Sequence, residues 1–223
     1  MMYRAIFRTG FFIALVAGCG ATSGNLQSKH SGDLETRRIR RIAVLLPSLP
    51  APAPVPAVPF GAAPVARTSE REAPESLARF THAALVALPN WQIVAESEVR
   101  EAALNLPPSS AEERIKRVGE RVYADAVMVG RVQRYRERVG EEWGARSPAS
   151  VAFILDLVDV RRGDIVWTAR FDETQKSLSE SLFSLGNIGE RGVRWLSADQ
   201  LAQDGIKKAV GQLHDILARR PAS

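Results

Sequence analysis

The chain holds a single cysteine, Cys19, in 223 residues, so no internal disulfide can staple the fold and packing alone must hold it. Histidine is scarce as well: His30, His82 and His214 are the only three. There is no H-E-x-x-H and no C-x-x-C, which excludes the common zinc sites, and neither a metal nor a cofactor is expected. A G-x-S-x-G turn is absent, which excludes the α/β-hydrolase nucleophile. No nucleophile–base constellation stands out, and the chain is read as non-enzymatic. There is no internal repeat of 20 to 50 residues, which excludes a solenoid. Outside one apolar run near the N-terminus, no segment approaches the roughly 20 residues that a membrane-spanning helix needs. Aromatic residues make up 7% of the chain and do not interleave with the arginines. The net charge of +5 and the isoelectric point near 9.8 therefore do not read as a nucleic-acid surface.

What is present begins at the N-terminus. Arg4 and Arg8 precede the apolar run Phe11 to Gly18, and small residues lead into Cys19. This is the layout of a secretory signal peptide. Leu15, Val16, Ala17, Gly18 and Cys19 resemble, position by position, the Leu-x-small-small-Cys box of bacterial lipoproteins. That resemblance implies removal of residues 1–18 and acylation of Cys19, which would anchor the chain in a membrane. Two or more acyl chains hold firmly, at about 0.8 kcal/mol per buried CH2. Gly20 stands where an Asp would imply retention at the inner membrane, so the outer membrane, facing the periplasm, is expected.

Residues 19–36 are polar and rich in Gly and Ser, and read as a lipidated flexible tether. The seventeen residues after Cys19 would reach about 20–25 Å. Residues 37–220 read as one α/β domain. Its first strand is Arg41–Pro47, followed by a Pro-rich loop over 47–66. Residues 47–64 contain seven prolines and no charge, a composition that favours an exposed polyproline segment. A helix is expected over 73–89, opened by Pro74, then a strand over 91–98 and a short helix over 99–106. A helix over 110–123 has Ser110 and Glu113 as a capping box.

Residues 124–174 change character. A strand from Ala124, an apolar strand Ser150–Val160 and a third over 164–175 form an antiparallel three-stranded meander, with Gly163 in the last turn. An amphipathic helix over 197–220, capped by Ser197 and Gln200, closes the chain. The fold class is thus α/β: a single domain with a mixed sheet, the meander, flanking helices and a terminal amphipathic helix.

This layout resembles the small α/β domain of envelope lipoproteins related to the penicillin-binding-protein activator lipoprotein and the curli secretion channel subunit. Ala124, Asp125, Ala126 and Gly130 match one pattern of that group, and Asp159, Gly163 and Trp167 match its hairpin pattern. The chain departs from the channel subunit in having no pair of long membrane hairpins, and from the group in its Pro-rich loop. The resemblance implies a membrane-anchored envelope lipoprotein that binds another envelope protein, in the control of cell-wall synthesis or in surface-structure assembly. The alternative is a ring-forming subunit of an outer-membrane secretion apparatus, and an oligomer is compatible with either.

Candidate partner-binding residues are Val55, Val58 and Phe60 in the Pro-rich loop, and Arg134, Arg136 and Arg138, which alternate along one strand. The arginines are either a solvated strand edge or a surface for anionic lipid or an acidic partner. Arg37, Arg38, Arg40 and Arg41 pose the same choice. The tripeptide Arg162–Asp164 reads as turn chemistry rather than an adhesion motif, and the glycines of 186–192 as a loop rather than a phosphate site.

Overall fold

A computed structural model describes residues 25–48, 67–104, 106–107, 109–141, 144–175 and 195–219. The long strands are the apolar runs expected from sequence. They are β2 (Arg41–Ser48), β4 (Ala126–Arg136), β7 (Ser150–Asp159) and β8 (Ile165–Thr174). β1 (Leu26–His30) and β3 (Gln92–Ile93) complete a six-stranded sheet in the order β1-β8-β7-β4-β2-β3. β2 runs parallel to β3 and β4, and the other pairs are antiparallel. The sheet is therefore mixed, and β4, β7 and β8 are the expected meander. A two-stranded hairpin, β5 (Val139–Glu141) and β6 (Gly144–Ser147), interrupts the meander between β4 and β7.

Among the described residues four helices flank the sheet: α1 (Arg67–Val86), α2 (Glu96–Leu104), α3 (Ala111–Arg121) and α4 (Ala198–Ala218). α1 and α4 cover one face. Alternate residues of each strand point there, among them Ile42, Met128, Phe153, Leu157, Trp167 and Phe171, all buried. Phe153 stacks on Phe171 with ring centroids 5.1 Å apart. α4 approaches closely enough that a Cβ on Gly205 would lie 2.8 Å from the Phe171 ring. α2 and α3 cover the other face over β2 and β4, where Ala43, Val118, Val122 and Val127 are buried.

The structure corrects four expectations. Residues 26–36 are not tether. Leu26–His30 pairs with Phe171–Trp167 of β8, and a 3-10 turn at Leu34–Thr36 follows. Leu26 and Leu34 are buried, so two apolar anchors and a backbone ladder fix a segment whose other residues are polar. Pro74 does not open its helix. α1 starts at Arg67, and the helix-forming residues ahead of the proline continue it despite one missing N–H. The strand expected over 91–98 is limited to Gln92–Ile93, because acidic Glu96 and Glu98 open α2 there. α2 accordingly spans 96–104 rather than 99–106. The caps behave as expected: the Ser110 hydroxyl accepts from the Glu113 N–H, and Ser197 with Gln200 makes both halves of a capping box.

Candidate functional site

The short motifs prove to be fastenings. Both Asp125 carboxylate contacts go to one Oδ atom, which accepts the backbone N–H groups of Arg40 and Arg41 at 2.9 Å. It thereby sets the start of β2 against the start of β4. Asp159 accepts the N–H groups of Arg161 and Arg162, and closes the β7–β8 turn around Gly163, whose φ of +75° suits glycine. The other Asp159 oxygen accepts from the Arg37 guanidinium at 2.8 Å. Arg37 also pairs with Asp164 and Asp33, both at 2.9 Å, and its side chain is only 9% exposed. Hydrogen bonding to Asp164 holds the Arg37 cation well beyond its ordinary range, and the same bond holds the Asp164 carboxyl below the usual carboxylate value. Arg37 therefore belongs to the fold, and the Arg162–Asp164 tripeptide is half of its socket.

The three candidate arginines of β4 do not make one cationic face. A register shift between Val132 and Arg134 turns Tyr135 into the core. Arg134 is taken up by Asp172 and by the Ser150 hydroxyl. Arg138 lies beyond the strand and donates to the Trp195 carbonyl. Arg136 is exposed. Tyr135 donates to Asp199 at the start of α4, and burial with that carboxylate keeps its phenol well above the ordinary tyrosine range. The candidates Val55, Val58 and Phe60, together with Cys19, Trp143 and the 186–192 glycines, lie outside the described residues.

Two concavities stand out among the described residues, neither legible in the sequence. The first lies beside α2 and α3. A groove of about 550 Å³ opens there. Leu45, Val99, Ile115 and Val129 form its floor, while Leu104 and Ile165 flank it at 77% and 54% exposure. At one end Asp156 is buried between the Thr168 hydroxyl at 2.7 Å and the Arg131 guanidinium at 2.6 Å. The second is a cleft of about 680 Å³ where β2 and β3 begin, walled by residues 35–40, Asn90, Trp91 and the end of α4. Among the described residues no group of His, Asp and Glu is placed to hold a metal ion. Among them, too, no helix is long and apolar enough to cross a membrane.

No family model matches the chain, and no curated protein is similar to it in sequence. Its fold is similar to that of several solved structures. PelC from Paraburkholderia phytofirmans, a dodecamer, is 16% identical with a TM-score of 0.46, over 84% of this chain and 95% of that one. Lipoprotein GNA1162 from Neisseria meningitidis is 18% identical with a TM-score of 0.41, over 68% of this chain and 98% of that one. The C-terminal domain of LpoB from Salmonella enterica is 17% identical with a TM-score of 0.37, over 61% of this chain and 83% of that one.

Proposed function

We propose that this protein is a non-enzymatic lipoprotein of the bacterial envelope. It is held in the outer membrane through acylated Cys19, and its domain binds another envelope protein through the groove beside α2. The observation that supports the binding reading is the groove itself. Leu104 and Ile165 stand exposed on either side of an apolar floor, within a surface otherwise rich in Arg and Glu. A soluble domain seldom leaves such side chains bare together, and an apolar trough with a charged rim suits the apolar side chains of a partner. The lipoprotein box over Leu15–Cys19 supports the anchor, and Gly20 supports the outer membrane. With β1 starting at Leu26, only six residues separate the anchor from the fold, a reach of about 25 Å over seven Cα steps when fully extended. The body would thus stand close to the bilayer, with the groove free for a partner.

Photocrosslinking from position 104 or 165 in intact cells tests the reading. The expected product is an adduct with one other envelope protein, lost from position 104 when Ile165→Lys is introduced and from position 165 when Leu104→Glu is, in variants that remain folded. Absence of any adduct from either position would overturn it. A ladder of self-adducts would replace it with a ring-forming subunit. Mass spectrometry of the mature N-terminus tests the anchor, with acylated Cys19 as its first residue.

A further inference from the structure

The second cleft lies at the other end of the sheet from the place where the chain enters the fold. Asn25 bonds Asp172 near the end of β8, whereas the cleft adjoins the starts of β2 and β3, at the level where β8 begins. Seven residues of β8 separate the two levels, about 24 Å at a strand's rise per residue. A lipid on Cys19 would hold the Asn25 end toward the bilayer and leave this cleft facing the compartment.

Its chemistry follows from the extended segment ahead of β2. Ile39 is buried in the core, while Arg38 and Arg40 on either side of it are both exposed and line the cleft. Arg37 spends its charge on Asp33, Asp159 and Asp164. Arg38 and Arg40 pair with no carboxylate among the described residues, although both line the cleft. Among the described residues, Glu35 is the one acidic residue on its wall. Trp91, half-buried, lines the same cleft beside Arg40, with the His214 ring set edge-on to it at 5.3 Å and 75°. Asn90, held in the left-handed region at φ +73°, brings an amide to the same wall.

We infer that this cleft binds an acidic saccharide. The carboxylate would lie between Arg38 and Arg40, where planar guanidinium forks suit it. The sugar ring would pack on Trp91, and its hydroxyls would bond Asn90 and His214. A volume of this size holds one or two sugar rings. A lipid headgroup is the weaker fit, because the cleft faces away from the anchored end. That argument alone rests on the anchor reading; the site chemistry stands without it. Two envelope materials carry the required group: peptidoglycan strands stripped of their stem peptides, which frees the lactyl carboxylate of muramic acid, and uronate-containing exopolysaccharide.

The test is calorimetric titration of the full mature chain, in detergent, with four probes. N-acetylglucosaminyl-N-acetylmuramic acid and digalacturonate carry a ring and a carboxylate. Chitobiose supplies rings without charge, and inorganic phosphate supplies charge without a ring. At least one acidic disaccharide should bind at least tenfold more tightly than chitobiose or phosphate, and which of the two it is identifies the source. Arg38→Gln with Arg40→Gln should weaken that binding tenfold or more, as should Trp91→Ala, while Arg136→Gln at the other end should leave it unchanged. Both arginines are exposed, so the double variant should keep the wild-type unfolding temperature and report on binding alone. The inference is overturned if neither acidic disaccharide binds, if chitobiose or phosphate binds equally well, or if the double variant binds as the parent does. Crosslinking from position 104 does not involve this cleft, so failure of one result leaves the other standing.

Discussion

Arg37 is the most heavily used side chain in the structure. It joins the segment after β1 to the β7–β8 turn through three carboxylates, of which Asp159 is the most enclosed. Removing the cation leaves Asp159 and its neighbours facing one another with no compensation. Arg37→Leu should therefore destabilise the protein by about 2–3 kcal/mol, read from the urea midpoint at neutral pH. The pH dependence has a definite sign. The folded-state value of Asp164 is depressed by Arg37, so its contribution is complete above the ordinary carboxylate value, near 4. It is lost as pH falls below that value and through the folded one. Between pH 6 and pH 3 the wild type should lose more stability than Arg37→Leu, whose Asp164 has no guanidinium to lose. Equal losses in the two proteins would show that the acid sensitivity arises elsewhere. The sequence displays the arginines of residues 37–41 as one cluster. Only the fold divides them into a buried ion socket and a pair that faces a cleft.

At the scale of elements, the packing is set where helices meet the sheet. Phe153 is fully buried and stacked on Phe171, under α4. Phe153→Ala should cost about 3–5 kcal/mol, and a loss below about 1 kcal/mol in chemical unfolding would show that this face is not the core. On the other face a Cβ at Gly119 of α3 would lie 2.3 Å from a Val160 methyl and 2.9 Å from one on Val127. Valine is stiff at χ1, so neither methyl can swing aside. Alanine would gain up to about 1 kcal/mol in helix propensity. The overlap should outweigh this, so that Gly119→Ala destabilises by about 1–2 kcal/mol net, seen as a lower Tm. The period-2 and period-3.6 patterns made most of these elements readable. β1 escaped because an edge strand needs only one apolar residue, Leu26, and takes the rest of its order from hydrogen bonds to β8.

At the scale of the whole molecule, the Pro-rich stretch joins β2 to α1 and carries the candidates Val55, Val58 and Phe60. Replacing residues 50–64 by a short Gly/Ser link should change the Tm by no more than a few degrees, since halving a loop alters its closure entropy by only about 0.6 kcal/mol. If those three side chains contact the partner, the same variant should lose the crosslink from position 104 while remaining folded. Crosslinking retained in the folded variant would assign the contact to the groove alone. A large fall in Tm would instead place Phe60 in the core.

The sequence by itself determined the α/β class, the meander, the caps of α3 and α4, and the Leu15–Cys19 box, because each is written in local spacing that any fold must respect. Ser110 caps its helix whatever lies beneath it, and the nearly unbroken apolar run through 151–158 makes a strand buried on both faces wherever that strand sits. The tertiary structure decided what lies between elements. Strand order placed β1 beside β8 and put β2 and β4 under α2 and α3, and the groove lies beside those two helices. Trp91 and His214 are far apart in the chain and meet only because α4 ends over the start of β3, in the cleft that Arg38 and Arg40 also line. A cavity is made by surfaces that fail to fill the space between them, and that failure depends on how elements are arranged rather than on any residue within them.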